Sequence, residues 1–414
     1  GKQAAGPEGW QKEYDNDMDI QEEHGLMEAD MTRETHMENE AENKEPAVLE
    51  ERLHSRLSTV RPLNQETMDL AWKRWDNIGK PLRSLGLLEK NLVKIAGIQE
   101  TARPSIKKRA LIAMCADNGV VAEGVTQTGW EVTAAVAQNM AADASSVAVM
   151  SDVAGVKVFP VDIGMVTEGE ILTGVPEEEE PVPYRTLLSR KIRRATRNFA
   201  REPAMTKEEA LRAILVGMEL AGNLKRQGYE ILATGEMGIG NTTTSSAVAA
   251  ALLKEPVETM TGKGAGLSKE GLKTKIRVIE EALDRYAKEM TDPLEILRHV
   301  GGYDIAGLTG VFLGGAVYRI PVLIDGFISS AAALLAKEIL PAAADFMIAS
   351  HVSKEPAGKL VLDALGLSPM LCCEMCLGEG TGAVASLPVL DMGFTVYEKM
   401  ATFEDIQVEQ YKPL

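Results

Sequence analysis

One short segment of the 414-residue chain combines glycines with polar side chains that could bind a phosphate. Residues 235–244 read GEMGIGNTTT and lead directly into an alanine-rich stretch, predicted to be a helix from 245 to 254. Glycines let backbone N–H groups approach a ligand closely, and the N-terminus of a helix adds unpaired donors and a partial positive charge. The segment therefore predicts a phosphate site, although an ordinary strand-to-helix turn with an Asn or Thr cap has the same pattern.

A second segment, residues 377–382 (LGEGTG), places Glu379 between two glycines just before an apolar stretch predicted to be a helix from 383 to 390. A glutamate at a helix N-terminus is commonly a charge partner of the helix dipole, worth under about 1 kcal/mol. Here the flanking glycines leave the carboxylate accessible to a ligand and poorly covered by neighbours. This is how a general base would be presented, and Glu379 is the candidate.

Two other segments carry weaker signals. Gly238 and Gly240 could begin a dinucleotide fingerprint, but the third glycine would fall on Thr243, so an oxidoreductase is only an alternative. Such an enzyme would also need an acidic contact to the ribose about 20 residues further on. Residues 372–376 hold three cysteines that resemble half of a metal site. Because no second pair follows, Cys372, Cys373 and Cys376 are predicted to be a buried, reduced cluster.

The elements that position these segments alternate between short apolar strands and long helices. This alternation predicts an α/β fold, a parallel doubly wound (Rossmann-like) sheet with helices on both faces, whose ligands bind beyond the carboxyl ends of the strands. Strands are predicted at 110–116, 156–163, 230–234, 321–325 and 345–350, and helices at 132–149, 206–226 and 267–288. Thr206 and Glu209 form a predicted capping box.

Composition narrows the function classes. The net charge is −17 and the hydrophobic share is 45%, and no long uncharged apolar run or basic leader with an apolar core is present, which favours a cytoplasmic protein without membrane contact. The acidic balance argues against nucleic acid as a partner. The basic run 185–201 lacks interleaved aromatics and is predicted to be a solvated helix or loop. A small-molecule enzyme is the leading class.

The charge is concentrated at the N-terminus. Residues 1–52 hold 16 acidic and 5 basic side chains, a net charge of −11, and no periodic apolar face. Such a segment cannot bury enough apolar surface to offset its ordering entropy. Residues 1–53 are therefore predicted to be a disordered acidic extension.

Several motifs together resemble one enzyme family. They occur in order as GEMGIGNTTT, TGKGAGL (261–267), VGGYDIA (300–306), IPVLIDGFISSAAALLA (320–336), HVSKEP (351–356) and LGEGTGA (377–383). The sequence resembles the nicotinate-nucleotide:dimethylbenzimidazole phosphoribosyltransferases from about residue 62 to the segment 400–403. The resemblance implies transfer of phosphoribose from nicotinate mononucleotide to a benzimidazole-type base, giving an α-ribazole phosphate for the lower ligand of cobamides.

The resemblance also implies roles and an architecture. Glu379 matches the catalytic glutamate and Glu236 a second active-site carboxylate, and the predicted substrate-binding residues are Gly238, Gly240, Asn241, Thr242, Lys275, Ser353, Asp117 and Gly380. No cofactor and no metal are implied, and the chain is expected to be a homodimer. A small domain combines a helical segment, 54–105, with the active-site loop and C-terminal helices, 351–414, around an α/β nucleotide-binding domain, 106–350.

A few positions depart from the family pattern, and they leave the acceptor open. Arg83, Asn118, Thr128-Gly129 and Ala135 replace residues that the family carries in the part of the chain near the acceptor base. A purine, a substituted benzimidazole or a phenolic acceptor all fit. A non-catalytic partner subunit of a related phosphoribosyltransferase is a further alternative, but such a subunit would be expected to lose Glu379.

Overall fold

A computed structural model describes residues 45–176, 181–264 and 266–411. The chain divides into two compact units, 1–52 and 53–414. In the first unit the described residues, 45–52, are helical, so the expected disordered extension is wrong from residue 45 onward. Residues 1–44 and the acidic run 177–180 lie outside the described residues, and disorder of residues 1–44 stays a prediction.

The second unit is built around a six-stranded parallel sheet. Its strands are β1 (Arg109–Ala116), β2 (Val156–Gly164), β3 (Leu188–Ser189), β4 (Ile231–Met237), β5 (Val322–Ile324) and β6 (Met347–Ala349). They lie in the order β3-β2-β1-β4-β5-β6, and every pair is parallel. This order is that of doubly wound dinucleotide-type sheets and confirms the predicted α/β class. All five predicted strands are present, with ends shifted by a few residues.

Strand β3 was not predicted, and it lies in the basic run 185–201. Lys191 follows the strand, is fully buried, and forms an ion pair with Asp162 at the end of β2, with Nζ 2.8 Å from Oδ2. A buried cation requires such a partner. The prediction of a solvated helix or loop is therefore wrong for this part of the run, since a two-residue strand has too few positions to show a period.

Helices cover both faces of the sheet. Their bounds are α1 (45–57), α2 (Gln65–Asn77), α3 (Leu87–Gln99), α4 (Glu131–Ala141), α5 (Ser146–Ala154), α6 (Lys207–Arg226), α7 (Asn241–Leu253), α8 (Val257–Met260), α9 (Lys269–Tyr286), α10 (Pro293–Val300), α11 (Tyr303–Tyr318), α12 (Phe327–Ile339), α13 (Gly358–Leu365) and α14 (Thr381–Lys399). None of the described helices combines the length and the apolar character needed to cross a bilayer.

Local sequence signals predicted some helix ends correctly and missed others. The capping box of α6 is present, with both reciprocal bonds between Thr206 and Glu209. The single helix predicted for 132–149 is wrong, because the chain turns between α4 and α5, with Asp143 at φ 55°. Ser145 then caps α5 by accepting a hydrogen bond from the Ala148 N–H.

Both ends of the second unit contribute helices that pack together. The rings of Trp75 in α2 and Tyr397 in α14 lie with centroids 5.0 Å apart, and Arg74 Nε donates to the Tyr397 carbonyl at 2.8 Å. Ile78 forms an isolated antiparallel bridge with Thr402. These contacts are compatible with a small helical domain made from residues 54–105 and 351–414, but a separate domain of this kind stays a prediction.

Helices α6 and α11 approach each other through glycines. A Cβ built on Gly310 would lie 1.8 Å from the carbonyl oxygen of Ile214, and one built on Gly217 would lie 1.8 Å from the carbonyl oxygen of Gly307. The two backbones are therefore in direct contact, and a methyl group cannot be added without moving a helix.

We expect Gly310→Ala to lower the free energy of unfolding by about 1–3 kcal/mol, the usual cost of overpacking. Urea denaturation monitored by circular dichroism measures it. Gly174→Ala is the control, since nothing lies within 4 Å of a Cβ at Gly174. Equal free energies of unfolding for the two variants would show that α6 and α11 can move apart without loss of stability.

Candidate active site

A large open cleft lies at the carboxyl ends of the strands, as the fold class predicts. It encloses about 1070 Å³ of empty space, including its solvent-filled mouth. Residues that line it come from 125–128, 236–242, 263–267, 325–329, 351–355 and 376–381. The end of β4 and the first turn of α7 form its floor, so the motif GEMGIGN lies where the sequence placed a ligand.

One end of the cleft offers hydrogen-bond donors. Thr242, in the first turn of α7, lines the cleft, and its Oγ1 lies 2.8 Å from the Nζ of Lys275, which donates to it. The same Nζ donates to the carbonyl of Gly262 at 3.1 Å. Lys275 is fully buried just behind the wall. A helix N-terminus with a lysine beside it suits an anionic group.

Burial sets the protonation of this lysine. Desolvation lowers the pKa of Lys275 to about 8, and the nearby Glu355 opposes this shift. Burial in turn raises the pKa of Glu355, with Lys275 opposing. Lys275 is therefore mainly charged at neutral pH and loses its charge above about pH 8.

A carboxylate network begins at Glu236, which lines the cleft, and continues to the fully buried Asp304. Nδ2 of Asn241 donates both to Oε2 of Glu236 and to Oδ2 of Asp304. Burial raises the pKa of Glu236 to about 8, with Asp304, Asp325 and Glu379 adding to the rise and Asn241 opposing it. Burial also raises the pKa of Asp304 to about 6. Glu236 is thus mainly protonated at neutral pH.

Asp325 follows β5 directly and lies at the same edge. Its carboxylate accepts hydrogen bonds from the backbone N–H groups of Gly380, Gly382 and Ala383, at 3.1, 2.9 and 3.1 Å. Burial raises the pKa of Asp325 to about 7, which these backbone donors partly offset. His351 lines the cleft beside it, with Nε2 3.9 Å from Oδ1 of Asp325.

The turn that carries Glu379 packs against the sheet. A Cβ on Gly235 of β4 would lie 2.1 Å from the Glu379 carbonyl oxygen, and a Cβ on Gly380 would lie 2.3 Å from the Leu111 side chain of β1. The carboxylate of Glu379 accepts a hydrogen bond from the Val147 N–H at 3.0 Å, in the first turn of α5. Gly378 and Thr381 line the cleft, but Glu379 itself does not.

Comparisons with known proteins agree with this geometry. A family profile described as phosphoribosyltransferase matches residues 60–408. The nicotinate-nucleotide–dimethylbenzimidazole phosphoribosyltransferase of Ruminiclostridium cellulolyticum is 45% identical, with 86% of this chain and 98% of that protein covered. The protein of the same description from Acetivibrio thermocellus is 43% identical, with 87% and 99% covered.

A solved structure gives the same result. The crystal structure of nicotinate-nucleotide–dimethylbenzimidazole phosphoribosyltransferase from Thermus thermophilus has a TM-score of 0.76 and 37% identity, covering 84% of this chain and 100% of that one. This chain belongs to the nicotinate-nucleotide:dimethylbenzimidazole phosphoribosyltransferase family. The resemblance seen in the ordered motifs is confirmed.

The structure brings most of the residues expected from the family together. Glu236, Gly238, Gly240, Asn241, Thr242 and Ser353 all line the cleft. Glu379, Gly380 and Lys275 lie immediately behind its wall. Asp117 is set further back: it is 1% exposed, and its Oδ2 accepts a hydrogen bond from the Val166 N–H at 2.9 Å. Its contacts in the described residues are those of a structural carboxylate, so substrate binding by Asp117 stays a prediction.

The positions that depart from the family pattern differ in their surroundings. Thr128 lines the cleft, whereas Arg83, Asn118 and Ala135 do not. The guanidinium of Arg83 stacks on Trp72, with its Cζ 3.6 Å from the ring centroid. Nδ2 of Asn118 donates to the Ile239 carbonyl at 3.2 Å. Asn118 thus does not face the cleft but holds the backbone of Ile239, which lines it.

The cysteine prediction is corrected. Cys372, Cys373 and Cys376 are free and exposed rather than buried, and Cys376 lines the cleft. They lie in a segment without regular helix or strand between α13 and α14, so no apolar face covers them. Within the described part of the chain, no group of three or more His, Cys, Asp or Glu side chains is arranged to hold a metal ion.

Sequence reasoning did not single out four polar residues of this site. Asp304, Asp325, His351 and Glu355 lie inside or beside motifs of the family, yet none was assigned a role. Asp325 is the last residue of the predicted strand 321–325, so the rule that ligands bind at carboxyl ends could have identified it. His351 directly follows the predicted strand 345–350, so the same rule could have identified it. Glu355 had no such signal, because its approach to the cleft depends on tertiary packing.

The raised pKa values predict how stability depends on pH. Glu236 ionises near pH 4.5 when unfolded and near pH 8 when folded, so the folded state binds more protons between these values and this residue's contribution to stability falls as pH rises through that window. We expect Glu236→Gln to lose less unfolding free energy than the wild type between about pH 5 and about pH 8.5.

Urea denaturation at the two pH values measures this difference. Glu258→Gln is the control, because Glu258 is exposed and should leave the pH dependence unchanged. The same pH dependence in Glu236→Gln and in the wild type would contradict the assigned protonation of Glu236.

Proposed function

We propose that this chain transfers the phosphoribosyl group of nicotinate mononucleotide to a nitrogen of a benzimidazole-type base, releasing nicotinate and an α-ribazole phosphate for cobamide lower-ligand assembly. The observation that carries the proposal is the convergence of two features on one cleft. Thr242 and Lys275 form an anion-binding end, and the strained turn at Glu379 closes the other side through Gly378 and Thr381. The relatives of the same description support the reaction.

The anion-binding end suits the 5′-phosphate of the donor. The N–H groups in the first turn of α7 and the hydroxyl of Thr242 can donate to phosphate oxygens. Lys275 adds a positive charge behind Thr242, and Ser353 faces the same cleft. Gly238 and Gly240 also line the cleft, so the ribose can contact the backbone of its floor.

Glu236 can interact with the positive charge on the pyridinium ring of the donor. The pyridinium nitrogen of nicotinate mononucleotide is positively charged, and a nearby cation favours the ionised form of a carboxyl group. A donor bound over the end of β4 would therefore shift Glu236 toward its anion. That anion would orient the donor and stabilise the positive charge that develops on the ribose as the bond to nicotinate breaks.

Glu379 is the proposed general base. One nitrogen of the acceptor attacks the anomeric carbon, and the electrons of the breaking bond neutralise the pyridinium nitrogen of nicotinate. The proton on the other acceptor nitrogen must then leave, and a carboxylate within hydrogen-bond distance can take it. In the structure this carboxylate accepts a hydrogen bond from the Val147 N–H. We propose that acceptor binding replaces this bond.

The assay that tests the function incubates the protein with nicotinate mononucleotide and a panel of benzimidazoles, purines and phenols. We expect nicotinate release that depends on the acceptor, together with a ribosylated base phosphate identified by mass spectrometry. Nicotinate release without a ribosylated acceptor, or no release with any member of the panel, would overturn the proposal. The best acceptor in the panel identifies the base, which the departures at Asn118 and Thr128 leave open.

Glu379→Gln should lower kcat by about 100-fold, the usual scale for loss of a general base. The amide oxygen of glutamine can still accept the hydrogen bond from Val147, so the fold should be retained. Steady-state kinetics with dimethylbenzimidazole measures the loss, and the melting temperature is the control. Near-normal turnover would show that another group takes the proton.

Lys275→Met should raise the KM for nicotinate mononucleotide by about tenfold or more, because a hydrogen bond to a charged group contributes about 1.5–3 kcal/mol. In the wild type the same KM should rise above about pH 8, where Lys275 loses its charge. Lys273→Met is the control, since Lys273 is an exposed lysine of the same helix. An unchanged KM in Lys275→Met would remove the lysine from the phosphate site.

We also propose that the protein is a homodimer and that it is located in the cytoplasm. A homodimer is supported by Val149 and Val153 of α5 and Met392 of α14, which are 59%, 85% and 59% exposed on two helices that pack together. A cytoplasmic location is supported by the exposed free cysteines, which a reducing compartment preserves. Light scattering of the purified protein decides the first point.

A further inference from the structure

The start of α14 is capped from another part of the chain. Gly380 occupies the cap position and provides no side-chain bond to the helix. Asp325 supplies what is missing: its two carboxylate oxygens accept hydrogen bonds from the N–H groups of Gly380, Gly382 and Ala383. Since capping bonds are usually made by a residue of the helix's own entry turn, this arrangement ties the turn before α14 to the end of β5.

The turn that Asp325 holds has an unfavourable backbone. Gly378, Glu379 and Gly380 have φ values of 93°, 61° and 104°. Two of them are glycines, but Glu379 has a Cβ, and a left-handed conformation costs such a residue about 1–2 kcal/mol. Conformations of this kind persist only where the surroundings enforce them, and they cluster at functional sites.

Asp325 is itself firmly placed. Its backbone N–H donates to Oγ of Ser329 at 3.1 Å, and that hydroxyl lies 2.6 Å from Oγ1 of Thr234 in β4. Thr234 donates to the Leu323 carbonyl of β5 at 2.8 Å. A continuous series of hydrogen bonds thus runs from the two strands through Asp325 to the turn.

We infer that Asp325 is the positioning residue of Glu379. By accepting hydrogen bonds from the N–H groups of Gly380, Gly382 and Ala383, it holds the turn so that the glutamate stays at the edge of the cleft. This inference rests on the proposed function of Glu379. Both carboxylate oxygens of Asp325 already accept bonds from the turn, so the residue acts through Glu379 rather than on the donor. Its loss should therefore lower kcat and leave donor binding nearly intact.

The first test is the kinetics of Asp325→Asn. The amide keeps the size of the side chain but turns one acceptor into a donor facing the N–H groups of the turn. We expect kcat to fall by about 10- to 100-fold, the effect of a misplacement of about 1 Å. The KM for nicotinate mononucleotide should stay within about a factor of two. A large rise in this KM with unchanged kcat would overturn the inference.

The second test is a double-mutant cycle, since residues that act through one another are not additive. In the Glu379→Gln background, Asp325→Asn should cause almost no further loss of kcat. Asp304→Asn is the matched control, because Asp304 is equally buried but bonds Asn241 instead of the turn, so its loss should multiply with that of Glu379→Gln. Multiplicative losses for Asp325 as well would mean a general structural role.

The third test does not depend on catalysis. Amide hydrogen exchange of Gly380, Gly382 and Ala383 should become at least about tenfold faster in Asp325→Asn, because their acceptor is impaired. If Asp325→Asn fails to fold, Ser329→Ala replaces it in all three tests, since it loosens Asp325 without removing the carboxylate. Unchanged exchange in a folded variant would refute the inference even if the wild type proves inactive, whereas faster exchange in an inactive protein would leave only the function refuted.

Discussion

The direct contact between the Glu379 turn and the sheet is the constraint on which the site depends. Gly235 of β4 has no side chain, so the carbonyl of Glu379 comes so close that a Cβ there would lie 2.1 Å from it. A parallel sheet can place residues of distant sequence at one edge, but only a missing Cβ allows a turn to pack directly on a strand. This contact joins the turn before α14 to β4, the strand that carries Glu236, and Asp325 holds the same turn from the end of β5.

That packing buries several carboxylates, and the protonation of each depends on the hydrogen bonds that it accepts. Glu236 and Asp304 share the amide of Asn241, and Asp325 accepts backbone N–H groups. These donors offset only part of the desolvation, so the pKa of each group is raised. Carboxyl groups with these pKa values suit the cationic pyridinium ring of the proposed donor. The stability of the folded protein is lowered as these groups ionise. The ionised form of Glu236 that the proposed reaction uses is therefore the form that lowers the stability of the fold.

The sequence predicted what depends on local pattern and on motifs. The parallel α/β class, five of the six strands, the capping box at Thr206 and the cleft residues from Glu236 to Thr242 were all accessible, because strand-helix periods and glycine clusters are local signals. The break between α4 and α5, the buried Lys191 and the exposed cysteines were not. Each depends on contacts between residues far apart in the chain, such as the ion pair of Lys191 with Asp162. The role of Asp325 has the same origin, since its three bonds reach 55 or more residues along the chain.

A crystal structure of the protein with the α-ribazole phosphate product is the most direct test of the proposed reaction. We expect the phosphate to lie at the N-terminus of α7 near Thr242, and a carboxylate oxygen of Glu379 to lie within hydrogen-bond distance of the base nitrogen that does not carry the ribose. The bond from Val147 should then be lost. A product bound with Glu379 still on Val147, and with Glu236 on that nitrogen instead, would contradict the assignment of Glu379 as the general base.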